Sequence, residues 1–268
     1  MKKILIVGAG AMGAAFSIPL IDNGHSVALT EPYNLKLLKK LNSKKKYHPS
    51  LNINLPKKLK INKFSSDILN HNWDLIVIAV SSIGIDLIGK NLSKVKNKSP
   101  ILVLTKGLKL DGRDLISMSS LLRKYNKNLN ISVLKGPCLA KELAKKVKSF
   151  TVVANKNINT AKKIGKLIST NYYQTEFSRD VNGVEFLSAI KNIYSMIIGA
   201  GQWHNTSSAL FRKSIDEMKY LANYFKGKKE TVYGLAGLGD LYVSAMGGRN
   251  SKMGEYLGKG YTFTQAKK

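Results

Sequence analysis

Apolar residues come first in short unbroken runs and later at helical spacing, and the change falls near Asp180. Lys3 to Val7 is a run of the kind that forms a strand buried on both faces. Ala11 to Asn23 then reads as a helix, with Met12, Phe16, Leu20 and Ile21 spaced to pack on one side and Gly24 closing it. Ser26 to Thr30 is the next strand, ending at Glu31. Asp74 to Val80, Pro100 to Thr105, Ile131 to Leu134 and Phe150 to Ala154 are further runs, with helical patterns between several of them, and Tyr172 to Phe177 is a candidate last strand. Strands alternating with helices predict a mostly parallel, doubly wound α/β sheet. After Asp180 the pattern is helical: Gly183 to Gly199 and Ser207 to Phe225 are long helical stretches, and no clear strand follows.

The turn between the first strand and the first helix is Gly8-Ala9-Gly10-Ala11-Met12-Gly13. Gly8 permits the tight turn, Gly10 lets backbone approach a pyrophosphate, and Gly13 lets helix meet strand. The helix N-terminus offers free N–H groups to phosphates. Glu31, an acid about 20 residues past the turn at the end of the second strand, completes the dinucleotide-binding fingerprint. Its carboxylate is suited to accept from a ribose 2′-OH and to repel a 2′-phosphate, so NAD is expected ahead of NADP. The fold class is therefore α/β, a Rossmann-type doubly wound, mostly parallel sheet followed by an all-helical C-terminal domain. The expected division is a dinucleotide-binding domain over 1–180 and a helical substrate domain over 181–268.

The chain has 268 residues, of which 44% are hydrophobic, enough for one large or two modest domains. No apolar run is long enough to span a bilayer, and the start lacks a signal-peptide pattern. Cys138 is the one cysteine, so an intrachain disulfide is excluded and a cytoplasmic location is expected. His25, His48, His71 and His204 have no ligand-like spacing, so no metal is expected.

Lys and Arg number 44 against 16 Asp and Glu, a formal charge of +28. A field of that sign attracts phosphorylated metabolites and nucleic acid alike. The lysines are spread through the chain, dense only over Lys36 to Lys63, where no aromatic stacking series accompanies them. A solvated basic surface is the expected reading, with no nucleic-acid partner.

Five further residues carry candidate chemistry. Lys106 follows an apolar strand, at the strand end that faces the ligand crevice in open α/β sheets. Lys191 lies in an otherwise apolar helix, where a lysine either snorkels to the surface or is held in a site. Asp240, among glycines and apolar residues, is costly to bury unless paired. Arg249-Asn250 follows Gly247-Gly248 at a helix start, where a guanidinium and free N–H groups together grip phosphate.

In these residues the chain resembles the NAD-dependent glycerol-3-phosphate dehydrogenase family. The motifs run in order along nearly the whole length. They are the glycine turn, Thr105-Lys106-Gly107, Gly136-Pro137-Cys138-Leu139-Ala140-Lys141-Glu142, Gly183-Val184-Glu185 with Ala189-Ile190-Lys191-Asn192, Gly234 to Leu241, and Gly248-Arg249-Asn250. The resemblance implies hydride transfer from NAD(P)H to dihydroxyacetone phosphate, giving sn-glycerol 3-phosphate for glycerophospholipid synthesis. It implies Lys191 as general acid/base with Lys106 and Asp240 as further catalytic groups. Gly136, Cys138, Asn192, Gly248, Arg249 and Asn250 join these three at the substrate. Gly8, Gly10, Ala11, Met12, Gly13, Glu31, Lys106, Ala140 and Arg249 are the implied cofactor contacts, and a homodimer is a possible state. A related lysine-dependent dehydrogenase of another hydroxy or keto acid, such as ketopantoate, and a non-catalytic nucleotide-binding fragment are the alternatives.

Two departures stand out. Cys138 takes a place where relatives carry Ser, Thr or Asn. The sequence also stops at Lys268, where relatives continue with further helices, so either a compact variant or an incomplete chain is expected. In its last stretch, Tyr261 to Lys268, Thr262 is placed to cap a helix with Phe263 and Ala266 facing inward.

Overall fold

The computed structural model describes residues 1–95 and 98–267. It divides into two compact units, one formed by Met1–Leu134 and Cys138–Arg179, the other by Lys135–Pro137 and the chain from Asp180 onward.

The first unit begins with β1 (Lys3–Val7), α1 (Ala11–Asp22), β2 (Ser26–Glu31) and α2 (Leu35–Leu41). A small hairpin of β3 (Tyr47–His48) and β4 (Ile53–Asn54) leads to β5 (Lys60–Lys63). After β6 (Leu75–Ile78), α3 (Ile85–Leu92) and β7 (Ile101–Val103) comes a second hairpin, β8 (Leu108–Asp111) with β9 (Asp114–Ser117). Then follow α4 (Met118–Tyr125), β10 (Ile131–Lys135), α5 (Ala140–Ala144), β11 (Ser149–Ala154), α6 (Ile158–Ile168) and β12 (Tyr173–Ser178). The eight-stranded sheet has the order β12-β11-β10-β7-β6-β1-β2-β5. The pairs β5–β2, β2–β1, β1–β6, β6–β7, β7–β10 and β11–β12 are parallel. The chain winds outward from β1 through β2 to β5, then crosses to β6 and winds the other way. The switch point therefore lies between β1 and β6, where ligands bind in such sheets.

The strands form where the apolar runs lie, because β1, β6 and β7 are covered on both faces and hold no exposed residue between Ile4 and Val7, Leu75 and Ile78, or Ile101 and Val103. The one-sided packing expected of α1 is not what is observed: every residue from Gly13 to Leu20 is buried, so the helix is enclosed all round. Both hairpins and β5 fall where no apolar run marks a strand.

The second unit carries α7 (Val181–Ala200), α8 (His204–Tyr224), α9 (Asp240–Ala245), α10 (Arg249–Gly258) and α11 (Phe263–Ala266), and no strand begins after Ser178 among the described residues. Asp180 caps α7 through Gly183 N–H at 2.9 Å, and its other oxygen accepts Lys228 N–H at 2.8 Å. Phe186 stacks on Phe225 at 3.8 Å between ring centroids, joining α7 to the end of α8. Helices α7 and α10 approach through glycine: a Cβ on Gly254 would lie 1.9 Å from the Met196 carbonyl oxygen. Thr262 and Gln265 form a capping box on α11. The inward Phe263 expected there is corrected, since the ring is 61% exposed. Lys268 lies outside the described residues. No helix among them is long and apolar enough to cross a membrane.

Candidate active site

The glycine turn follows β1 at the switch point. Gly8 has φ +109°, and a Cβ there would lie 2.7 Å from the Ala79 carbonyl group. A Cβ on Gly13 would sit 2.0 Å from the Gly8 oxygen. Both positions therefore require glycine on packing grounds alone. At Gly10, by contrast, a Cβ meets nothing within 4 Å, so the turn presents bare backbone to open space. Gly10 is also the N-cap of α1 and its neighbours Ala11 and Met12 are only partly buried. Backbone N–H groups at the start of a 12-residue helix, with room in front of them, fit a dinucleotide pyrophosphate.

Glu31 ends β2 beside this turn, but its carboxylate is turned inward. One oxygen accepts Ala9 N–H at 2.8 Å; the other accepts Tyr33 N–H at 2.8 Å and Asn34 N–H at 3.0 Å. The residue is 5% exposed. The Tyr33 hydroxyl donates to the Gly84 carbonyl at 2.7 Å. Burial first, then the negative charges of Glu31 and Asp86, push its pKa above the ordinary tyrosine value.

Lys106 stands two residues beyond Thr105's predecessor, Leu104, on the same sheet edge as the glycine turn, because β1, β6 and β7 run parallel. Thr105 anchors it from behind, donating to the Val80 carbonyl at 2.7 Å. Ala140 opens α5 and, like Cys138, packs partly buried against the core of the first unit. Beside Cys138 lies the wholly buried Tyr173 hydroxyl, whose pKa is raised chiefly by burial. Gly136, with φ +119°, belongs to the second unit by its contacts.

In the second unit a buried polar cluster spans α7 and α9. Lys191 Nζ donates to Asp240 Oδ1 at 2.7 Å and also to Ser244 Oγ. Ser188 Oγ donates to Asp240 Oδ2 at 2.9 Å. The side chains of Lys191 and Asp240 are 9% and 3% exposed. Lys191 therefore does not snorkel; its ammonium is held within the protein by a paired carboxylate. Periodicity explains the cluster. Ser188 and Lys191 are three apart on α7 and Asp240 and Ser244 four apart on α9, so each pair shares a helix face. The sequence motifs flagged Lys191 and Asp240 but not the two serines, which this spacing would have found.

The N-terminus of α10 adjoins the cluster. A Cβ on Gly248 would lie 2.5 Å from the Ser244 carbonyl oxygen, which fixes how closely the turn can pass. Gly248 is the N-cap, without a side-chain cap bond, and Arg249 and Asn250 are the first two helical residues. Arg249 is exposed and Asn250 partly buried, while Asn192, next to Lys191, faces outward. The structure thus brings Lys191, Asp240 and the Gly248–Asn250 turn together within one unit. The glycine turn, Glu31, Lys106, Cys138 and Ala140 belong to the other.

Comparison with known proteins points the same way. The family model described as the N-terminus of NAD-dependent glycerol-3-phosphate dehydrogenase matches residues 3–161, and that of its C-terminus matches residues 180–268. The NADP(+)-dependent glycerol-3-phosphate dehydrogenase of Archaeoglobus fulgidus is 30% identical over 279 residues, covering 98% of this chain and 82% of the relative. A glycerol-3-phosphate dehydrogenase (NAD(P)+) of Francisella tularensis is 32% identical over 278 residues, covering 100% and 82%. Among solved structures, glycerol-3-phosphate dehydrogenase from Coxiella burnetii superposes with a TM-score of 0.87 at 26% identity, over 99% of this chain and 83% of that one.

Proposed function

The chain belongs to the NAD-dependent glycerol-3-phosphate dehydrogenase family, and we propose that it interconverts dihydroxyacetone phosphate and sn-glycerol 3-phosphate, using NAD or NADP. The observation that carries this reading is the buried Lys191–Asp240 pair beside the uncapped start of α10. The first 180 residues are assigned to the cofactor and residues 181–268 to the substrate.

When bound, NAD(P)H supplies the hydride that reduces the ketone carbon. As that carbon is reduced, negative charge develops on the carbonyl oxygen, and the Lys191 ammonium delivers a proton to it. In the reverse direction the amine of Lys191 takes the hydroxyl proton. Asp240 holds Lys191 in one rotamer and offsets its charge in the buried site. Lys106 is assigned to stabilising the developing oxyanion and to the cofactor, and Gly136, Cys138 and Asn192 to lining the substrate. Ala140 and the glycine turn are assigned to the cofactor. Gly248, Arg249 and Asn250 hold the phosphate through the guanidinium and the free N–H groups of α10, with Arg249 also within the cofactor set. Phosphate binding is remote from the reacting carbon, so it positions the substrate.

A cytoplasmic enzyme that supplies glycerol 3-phosphate for glycerophospholipids, working as a homodimer without nucleic acid, belongs to the same proposal. The test is oxidation of NADH and of NADPH by the purified protein with dihydroxyacetone phosphate, beside unphosphorylated dihydroxyacetone and ketopantoate. Turnover restricted to the phosphorylated ketone supports the reading. Preferential turnover of ketopantoate, or none with any of the three, overturns it.

A further inference from the structure

We infer that His48 is a positioning residue for the cofactor, holding the glycine turn in the geometry that presents the Gly10 N–H group outward. The inference rests on the turn's being the dinucleotide site, as proposed above. His48 is 1% exposed, and its Nε2 lies 3.0 Å from the Ala9 carbonyl oxygen. That oxygen can only accept, so Nε2 carries the proton. The other ring nitrogen, Nδ1, is the acceptor for Leu51 N–H at 3.4 Å, a donor that it shares with the His48 backbone carbonyl at 3.2 Å. Both ring nitrogens thereby face backbone partners, Nε2 as donor and Nδ1 as acceptor.

The consequence for the turn follows from peptide planarity. The Ala9 carbonyl and the Gly10 N–H belong to one trans peptide and point in opposite directions. Fixing the carbonyl toward His48 aims the Gly10 N–H to the other side. The preceding peptide is fixed in the same way, since Ala9 N–H is bound by Glu31 at 2.8 Å. Its carbonyl, that of Gly8, then points toward α1, where a Cβ on Gly13 would lie 2.0 Å away. Ala9 is flanked by two glycines, which leave a turn conformationally loose unless something else restrains it. Glu31 and His48 clamp its two polar groups from opposite sides.

His48 reaches the turn because the β3–β4 hairpin is anchored independently. Leu51, Leu55 and Leu59 are buried in the core cluster of the first unit. Lys46, at the foot of the hairpin, donates to the carbonyls of Lys57 at 2.7 Å and Leu59 at 2.6 Å. The lysine-rich stretch from Lys36 to Lys63 thus contains a built connection to the cofactor turn. These anchors remain when the imidazole is replaced, so a variant at His48 keeps its hairpin.

The test is NADH affinity, read by fluorescence titration, in wild type, H48L and H48Q, with steady-state kinetics and thermal melts beside it. In H48L the Kd for NADH is expected to rise about tenfold, as the buried Ala9 carbonyl loses its donor. Turnover at saturating NADH and the KM for dihydroxyacetone phosphate should stay within about twofold, because neither depends on the turn once cofactor is bound. H48Q, whose amide can donate in place of Nε2, should recover most of the affinity. A Kd in H48L within about twofold of wild type overturns the inference. So does equal weakening in H48L and H48Q, or parallel losses in affinity, turnover and substrate KM. Wild-type protein that binds neither NADH nor NADPH would instead overturn the functional reading, and the clamp with it. If H48L does not fold, H48Q against H48N decides, since the shorter amide cannot reach Ala9 and should bind NADH more weakly.

Discussion

Lys191 donates to Asp240 at 2.7 Å across α7 and α9, with both residues buried. An ammonium taken this far out of water is compensated there by a carboxylate and a serine hydroxyl that accept its hydrogen bonds. The same arrangement leaves it a strong, oriented donor for an oxygen that becomes an alkoxide.

Replacing Lys191 with Ala should lower kcat by about 100-fold or more, the scale of a lost general acid. NADH affinity should stay within about twofold, because the glycine turn belongs to the other unit. Stopped turnover with unchanged NADH titration is the expected pair of results. Near-normal turnover would remove Lys191 from the mechanism.

The pair also governs stability. Removing Lys191 alone leaves Asp240 buried with only Ser188 and its remaining neighbours to receive it, at a cost of about 3–5 kcal/mol. Removing Asp240 alone takes the opposite charge from the buried ammonium, which keeps Ser244 Oγ as an acceptor, and should cost a similar amount. The double variant should therefore lose clearly less than the sum of the two single losses in urea melts. Additive losses would mean that the two side chains are not coupled in solution.

Arg249→Ala should cost about 2–4 kcal/mol in kcat/KM for dihydroxyacetone phosphate, through loss of a charge-assisted bond to the phosphate. Dihydroxyacetone, which lacks that group, should be affected much less. Equal losses with both compounds would put the phosphate elsewhere.

What could be read in the sequence depended on which force made each feature. Strands β1, β2, β6, β7, β10 and β11 are built mainly from apolar residues buried in a sheet, and their runs mark them, whereas in β12 only Tyr173 is buried. Strand β5, Lys60–Lys63, has only Ile61 partly buried and pairs with β2 through backbone bonds, which have no compositional signature. The hairpins escaped for the same reason. Lys191 and Asp240 were visible as polar residues in apolar surroundings, yet only the fold could show that each resolves the other's burial. Phe263 pointed the wrong way because α11 is four residues long, too short for periodicity to define a face.

Glu31 supplies the sharpest separation between what spacing implies and what geometry implies. A free carboxylate at the end of β2 would repel a 2′-phosphate by about 1–3 kcal/mol and favour NADH accordingly. Here the carboxylate accepts three backbone N–H groups and is buried, so its charge is spread into the turn and the β2–α2 loop. Discrimination between NADH and NADPH in kcat/KM should then be within about tenfold. Glu31→Gln tests the cause. An amide has one oxygen, so its NH2 group must face either Ala9 N–H or the N–H pair of Tyr33 and Asn34, donor against donor. The variant should weaken both cofactors to a similar extent, by about 1–3 kcal/mol. A selective gain for NADPH would show that the carboxylate acts on the cofactor by charge repulsion and not by holding the turn.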